Sequence, residues 1–168
     1  MTMLDNDKKS ALCAAIKTSR YSRKVVSLLR DMTDSLYKND VQFSLQNFES
    51  SMDSELYDVL HGLLEGADSN NVMETEKVLR EVIEYLKNIE EVNFVIPIHP
   101  GRDFVKRIFE WCANSLNKEV LIGFTTNRLM DSGLVMIYKG YYFEYSLENL
   151  LNEYFSSYDI QKHFSESE

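Results

Sequence analysis

Residues 133–147 read GLVMIYKGYYFEYSL, and this stretch decides the fold. Two runs rich in β-branched and aromatic residues, Gly133 to Tyr138 and Tyr141 to Tyr145, flank the dipeptide Lys139-Gly140. A two-residue connection holding a glycine, which takes positive φ without a Cβ clash, predicts a tight β-hairpin. Ser146 follows as a helix cap, because a short hydroxyl side chain accepts from the free amides of a first turn. Leu147, Leu150, Leu151 and Tyr154 then recur at helical spacing.

Working back from the hairpin, Glu119 to Asn127 (EVLIGFTTN) reads as a strand. Residues 102–116 place Phe104, Val105, Ile108, Phe109, Cys112 and Leu116 at helical spacing, and Asn117-Lys118 closes that helix. Val92 to Ile98 (VNFVIPI) is a further strand, ended by the turn His99-Pro100-Gly101. The order from residue 92 is strand, helix, strand, strand, strand, helix. It predicts a small α/β domain over 92–168, with a mixed sheet, helices on one face, and a loose tail after Asp159.

Upstream of Val92 every amphipathic segment is helical. Residues 6–38 lack Pro and Gly, and two apolar faces, one with Leu12, Ala15 and Ile16 and one with Val25, Leu28, Leu29, Met32 and Leu36, fit one long helix or two, of which two are favoured. Thr18-Ser19, followed by Tyr21-Ser22, is where a break with an N-cap would fall. Residues 41–50 fit a helix through Val41, Leu45 and Phe48, although Phe43 and Leu45 also fit strand alternation. Residues 53–66 form a short helix capped by Asp53 or Ser54 and closed at Gly66, a loop follows over 67–71, and residues 72–90 form the clearest helix of the chain. The fold class expected is therefore α+β: an N-terminal all-helical bundle over 1–91, then the small α/β domain over 92–168.

With 44% hydrophobic and 27% charged residues in 168, the composition is that of an ordered globular protein. Its 27 acidic against 18 basic residues leave a net charge of -9, which argues against nucleic acid as a partner, because phosphates call for a surplus of Lys and Arg. The one basic-leaning stretch, Lys17, Arg20, Arg23, Lys24 and Arg30, is followed at once by Asp31 and Asp34. It reads as a solvated helix face or as a patch for an acidic protein partner. No apolar run is long enough to cross a bilayer, and Asp5 and Asp7 stand where a targeting peptide would be basic, so a soluble chain without membrane insertion is expected.

Catalytic chemistry finds little footing. His61, His99 and His163 are scattered without metal-ligand spacing, and Cys13 and Cys112 lie within apolar helical patterns, as reduced core residues do. His99 with Asp103 could be drawn as an acid-base pair, but a strand-to-helix connection with an acid in the first helical turn accounts for both. Six glycines include no nucleotide-binding pattern. The aromatic cluster over 138–158 is dense: half of it faces the core by alternation, and the outward set, with Tyr138, Tyr142 and Phe124 as candidates, is suited to anchoring a partner.

Val92 to Phe155 resembles the C-terminal region of the delta subunit (oligomycin-sensitivity-conferring protein) family of F-type ATP synthases. Ser132-Gly133 stand at the family's small-residue entry to its glycine strand, Lys139-Gly140 at its hairpin turn, and Glu144-Tyr145-Ser146-Leu147 at its acidic-Gly-Ser-apolar signature. Leu134, Glu144 and Tyr145 replace the usual second Gly, Asp and Gly. The resemblance implies Gly133, Gly140, Glu144, Ser146 and Leu147 as structural motif residues. It also implies a non-catalytic, cofactor-free stator subunit, peripheral on the cytoplasmic face of the inner membrane. The helical domain would hold ATP synthase α subunits, and the α/β domain the b subunits of the peripheral stalk. A regulatory or adaptor module unrelated to ATP synthase is the alternative, and a small hydrolase centred on His99 and Asp103 ranks last.

Overall fold

A computed structural model describes residues 4–37, 44–65, 72–130 and 132–145. The fold is mixed α/β, with helices mostly in the N-terminal part and then a four-stranded mixed sheet. Two compact units make it up, one of residues 1–91 with 103–123 and one of 92–102 with 124–168.

The first unit is helical. Helices α1 (Asn6–Ile16), α2 (Ser19–Ser35), α3 (Ser54–Glu65) and α4 (Val72–Asn88) are joined by a 3-10 helix, Leu45–Ser51, and α5 (Arg102–Leu116) follows later in the chain. Each early helix starts at a residue chosen for its side-chain oxygen. Asp5 accepts from the Lys8 amide at 2.9 Å, Thr18 from the Tyr21 amide at 3.2 Å, and Asp53 from the Leu56 amide at 3.0 Å. These bonds satisfy amides that have no partner within the helix.

The break between α1 and α2 falls at the expected hydroxyl pair. Lys17 has φ 58° and closes α1 by donating its N–H to the Cys13 carbonyl, and Thr18 is then extended. Thr18 is bridged in parallel fashion to Ile122, whose amide donates to the Lys17 carbonyl at 3.0 Å. The sequence shows the cap. It does not show this partner from a hundred residues away, which uses the backbone groups that the break leaves open.

The core of this unit is aliphatic. Leu12, Val25, Leu29, Met32, Leu56, Leu60, Val78, Leu79 and Val82 are all essentially inaccessible, and Phe109 of α5 packs against them from its half-buried face. Of the apolar residues that give α5 its periodicity, only Cys112 is fully buried, while Phe104 and also Trp111 are exposed. Amphipathic spacing identifies the helix without saying how much of its face is covered.

The strands are β1 (Glu91–Ile96), β2 (Leu121–Thr126), β3 (Leu134–Tyr138) and β4 (Tyr141–Tyr145), in the sheet order β2-β1-β3-β4. Strand β1 ends two residues short of the expected Ile98. Pro97 has no N–H to give to a ladder, and Ile98 is exposed beyond it. Strand β2 likewise begins at Leu121 rather than at Glu119. The 41–50 segment resolves as the 3-10 helix from Leu45 onward, and Val41 and Phe43 lie outside the described residues, as do Gly66 and the loop to residue 71. The final helix expected from Ser146, with Leu147, also lies outside them. Among the described residues no helix is long and apolar enough to cross a membrane.

Candidate partner-binding surface

The hairpin is built by its turn. Lys139 and Gly140 have φ 51° and 80°, the pair of positive values that a two-residue turn needs to match the right-handed twist of its strands. Tyr138 is thereby set directly opposite Tyr141, followed by Ile137 with Tyr142, Met136 with Phe143, Val135 with Glu144 and Leu134 with Tyr145. Gly133, φ 94°, turns the chain into β3. A Cβ on Gly140 would meet nothing within 4 Å, so Gly140→Ala costs backbone strain alone, about 1 kcal/mol. Gly62, in α3 and equally open, gives the opposite sign: Gly62→Ala stabilises by about 0.5–1 kcal/mol through helix propensity. Paired urea titrations of the two variants check both signs.

Residues directly opposite one another share a sheet face. Tyr138, Tyr141, Met136, Phe143, Leu134 and Tyr145 therefore lie on one face. Phe94 of β1 is on it too, opposite Met136, and Phe124 stacks on Phe94 at 5.7 Å between centroids. The aromatics on this face grade from buried to open. Phe94 is 1% accessible, Phe124 and Tyr138 are half-buried, and Phe143, Tyr145 and Tyr141 are 40%, 49% and 69% exposed. The Tyr141 and Phe143 rings lie 6.5 Å apart, and the Lys139 ammonium lies 5.6 Å from the Tyr138 ring centroid. Among the described residues strand β4 is the edge of the sheet, and all five of its residues are exposed.

Of the candidates read from the sequence, the structure brings Tyr138 and Phe124 onto this face and puts Tyr142 on the other, beside Ile137 and with Glu144 two residues on. Strand alternation carried the signal: across a two-residue turn, residues 138 and 141 must face together, so 142 must face away. The same rule adds Tyr141, Phe143 and Tyr145. Large aromatic rings on an edge strand are chemically suited to anchoring a partner, through apolar contact and strand pairing.

The residues weighed for chemistry are placed as follows. His61 lies 3.3 Å from Glu65, one turn on, with its ring 5.8 Å from that of Tyr57, an arrangement of an exposed helix face. His99 is exposed after β1, and among the described residues no three His, Cys, Asp or Glu side chains cluster closely enough to hold a metal ion. Cys13 and Cys112 are free thiols buried in the first unit, and burial pushes each up to about 11 from an ordinary 9.0. The Tyr85 hydroxyl, 3.9 Å from the Cys13 sulfur, is also raised by burial. A thiol held this far above neutrality stays protonated and is a poor nucleophile.

These shifts have a defined sign. The unfolded thiols ionise near 9.0 and the folded ones near 11, so the stability present below pH 9 is lost as pH rises through 11. Urea midpoints are expected to hold level to about pH 9 and then fall. In Cys13→Ala the fall is shallower. No protein-family model matches this sequence, and no curated protein matches it significantly.

Proposed function

We propose that this chain is a non-catalytic subunit of the stator, or peripheral stalk, of an F-type ATP synthase, in the part taken in that family by the delta subunit. The observation that carries the reading is the run of motif positions between Val92 and Phe155. Its two glycines, Gly133 and Gly140, both adopt positive φ at the entry to a strand and in a two-residue turn, where the motif calls for glycine. A mainly helical unit beginning at the N-terminus and a sheet unit holding the hairpin are also compatible with that family's two-part organisation, although residues 103–123 here belong to the helical unit.

In this reading the helical unit holds α subunits of the catalytic head, the sheet unit holds the b subunits, and the exposed aromatic face is the surface offered to them. Resisting rotor torque requires buried apolar anchors and stiff elements rather than a catalytic group or cofactor. Affinity purification of the tagged protein from its native membranes in mild detergent tests the reading. Stoichiometric recovery of the α, β and b subunits is the expected result. Recovery of the protein without them would sink the stator assignment in favour of an adaptor module, for which the same open aromatic hairpin is suited.

A further inference from the structure

The basic stretch of α2 divides when its side chains are followed in space. Lys17 is taken up by Glu55 at 2.8 Å. Arg23 and Arg30 instead line a groove between α2 and the end of α4, where Lys87 joins them, with a volume of about 370 Å³. Val26, Leu86, Ile89 and Leu121 form its apolar floor, and Ser19, Ser22 and Glu91 also line it. All of these residues belong to the helical unit.

Three features define what fits. Among the described residues Arg30 and Lys87 have no ion-pair partner, and Arg23, itself largely in solvent, reaches only the more buried Glu91, at the long distance of 3.8 Å, which leaves most of its donors open. Arg23 and Arg30 are two helical turns apart, about 10.5 Å along the axis, a spacing that matches carboxylates seven residues apart on a facing helix. Much of the surface between the cations is apolar, through Val26, Leu86, Ile89 and Leu121, so a purely ionic ligand leaves that part wet.

In a chain of net charge -9 the same considerations disfavour polyanions. Nucleic acid or an anionic membrane meets repulsion over the wider surface, whereas a short-range pairing within about 8 Å escapes most of it by screening. We propose that this groove docks an acidic, amphipathic helix of a partner protein. Carboxylates seven residues apart would meet Arg23 and Arg30, a third acid would meet Lys87, and leucine-type side chains between them would cover Val26, Leu86 and Ile89. The inference does not depend on the stator reading, since it rests on charge, spacing and floor.

The test is fluorescence anisotropy on the full chain with a labelled, helix-stabilised synthetic peptide carrying two glutamates seven residues apart around leucines. A second peptide of the same composition carries the glutamates on opposite faces. The expected result is saturable binding of the first peptide and binding at least about tenfold weaker for the second. Arg30→Glu and Lys87→Glu, on separate helices and both exposed, each weaken the first peptide about tenfold, and replacing the peptide's matching glutamate with lysine restores binding to Arg30→Glu. Equal affinity for the two peptides, indifference to both charge reversals, or complete displacement by inorganic phosphate would each overturn the proposal. The last would mark a small-anion site.

Discussion

Phe94→Ala is expected to lower stability by about 3–5 kcal/mol, the range for deleting a buried aromatic ring. Phe94 is among the largest fully buried side chains of the chain, on a strand with neighbours on both edges, opposite Met136 and stacked on Phe124. Its removal forfeits the transfer of the ring out of water, leaves a cavity that a sheet cannot easily collapse into, and breaks an aromatic pair worth about 0.5–1.5 kcal/mol. Phe143→Ala on the same face is the comparison. There the ring is exposed on the edge strand, so the loss stays below about 1 kcal/mol. Urea unfolding followed by circular dichroism separates the two, and equal losses would contradict the burial gradient across this sheet face.

The second large effect concerns the exposed end of that gradient. Under the proposed function, replacing Tyr141 and Tyr145 together with Ala should abolish recovery of the b subunits, while the urea midpoint moves little. Each such anchor contributes about 2 kcal/mol to an interface, so two correspond to a loss of roughly three orders of magnitude in affinity. Tyr142→Ala is the built-in control, being equally exposed but on the opposite face. Normal partner recovery with Tyr141→Ala/Tyr145→Ala, or loss of it only with Tyr142→Ala, would move the interface to the other face.

Element types were largely legible in the sequence because they rest on local physics. Thr18 marks a helix start, Lys139-Gly140 a two-residue turn, and the shift from helical spacing to β-branched runs at Val92 marks the onset of the sheet. The end of β1 is also encoded locally, since Pro97 has no N–H to give to a ladder whatever the apolar character of Ile98. The face of Tyr142 was also available, since turn length and alternation fix it together.

Among the described residues local grammar in the sequence thus determined most element types, the caps at Thr18 and Asp53 and the hairpin turn, because each depends on a few neighbouring dihedrals and side chains. Only the tertiary structure decided which of them meet. It set β1 between β2 and β3, joined Phe109 of α5 to the N-terminal core, bridged Thr18 to Ile122, and put Lys87 into one groove with Arg30. Those pairings reflect burial and backbone hydrogen bonding between segments far apart in the chain, and no periodicity within a single segment encodes its distant partner.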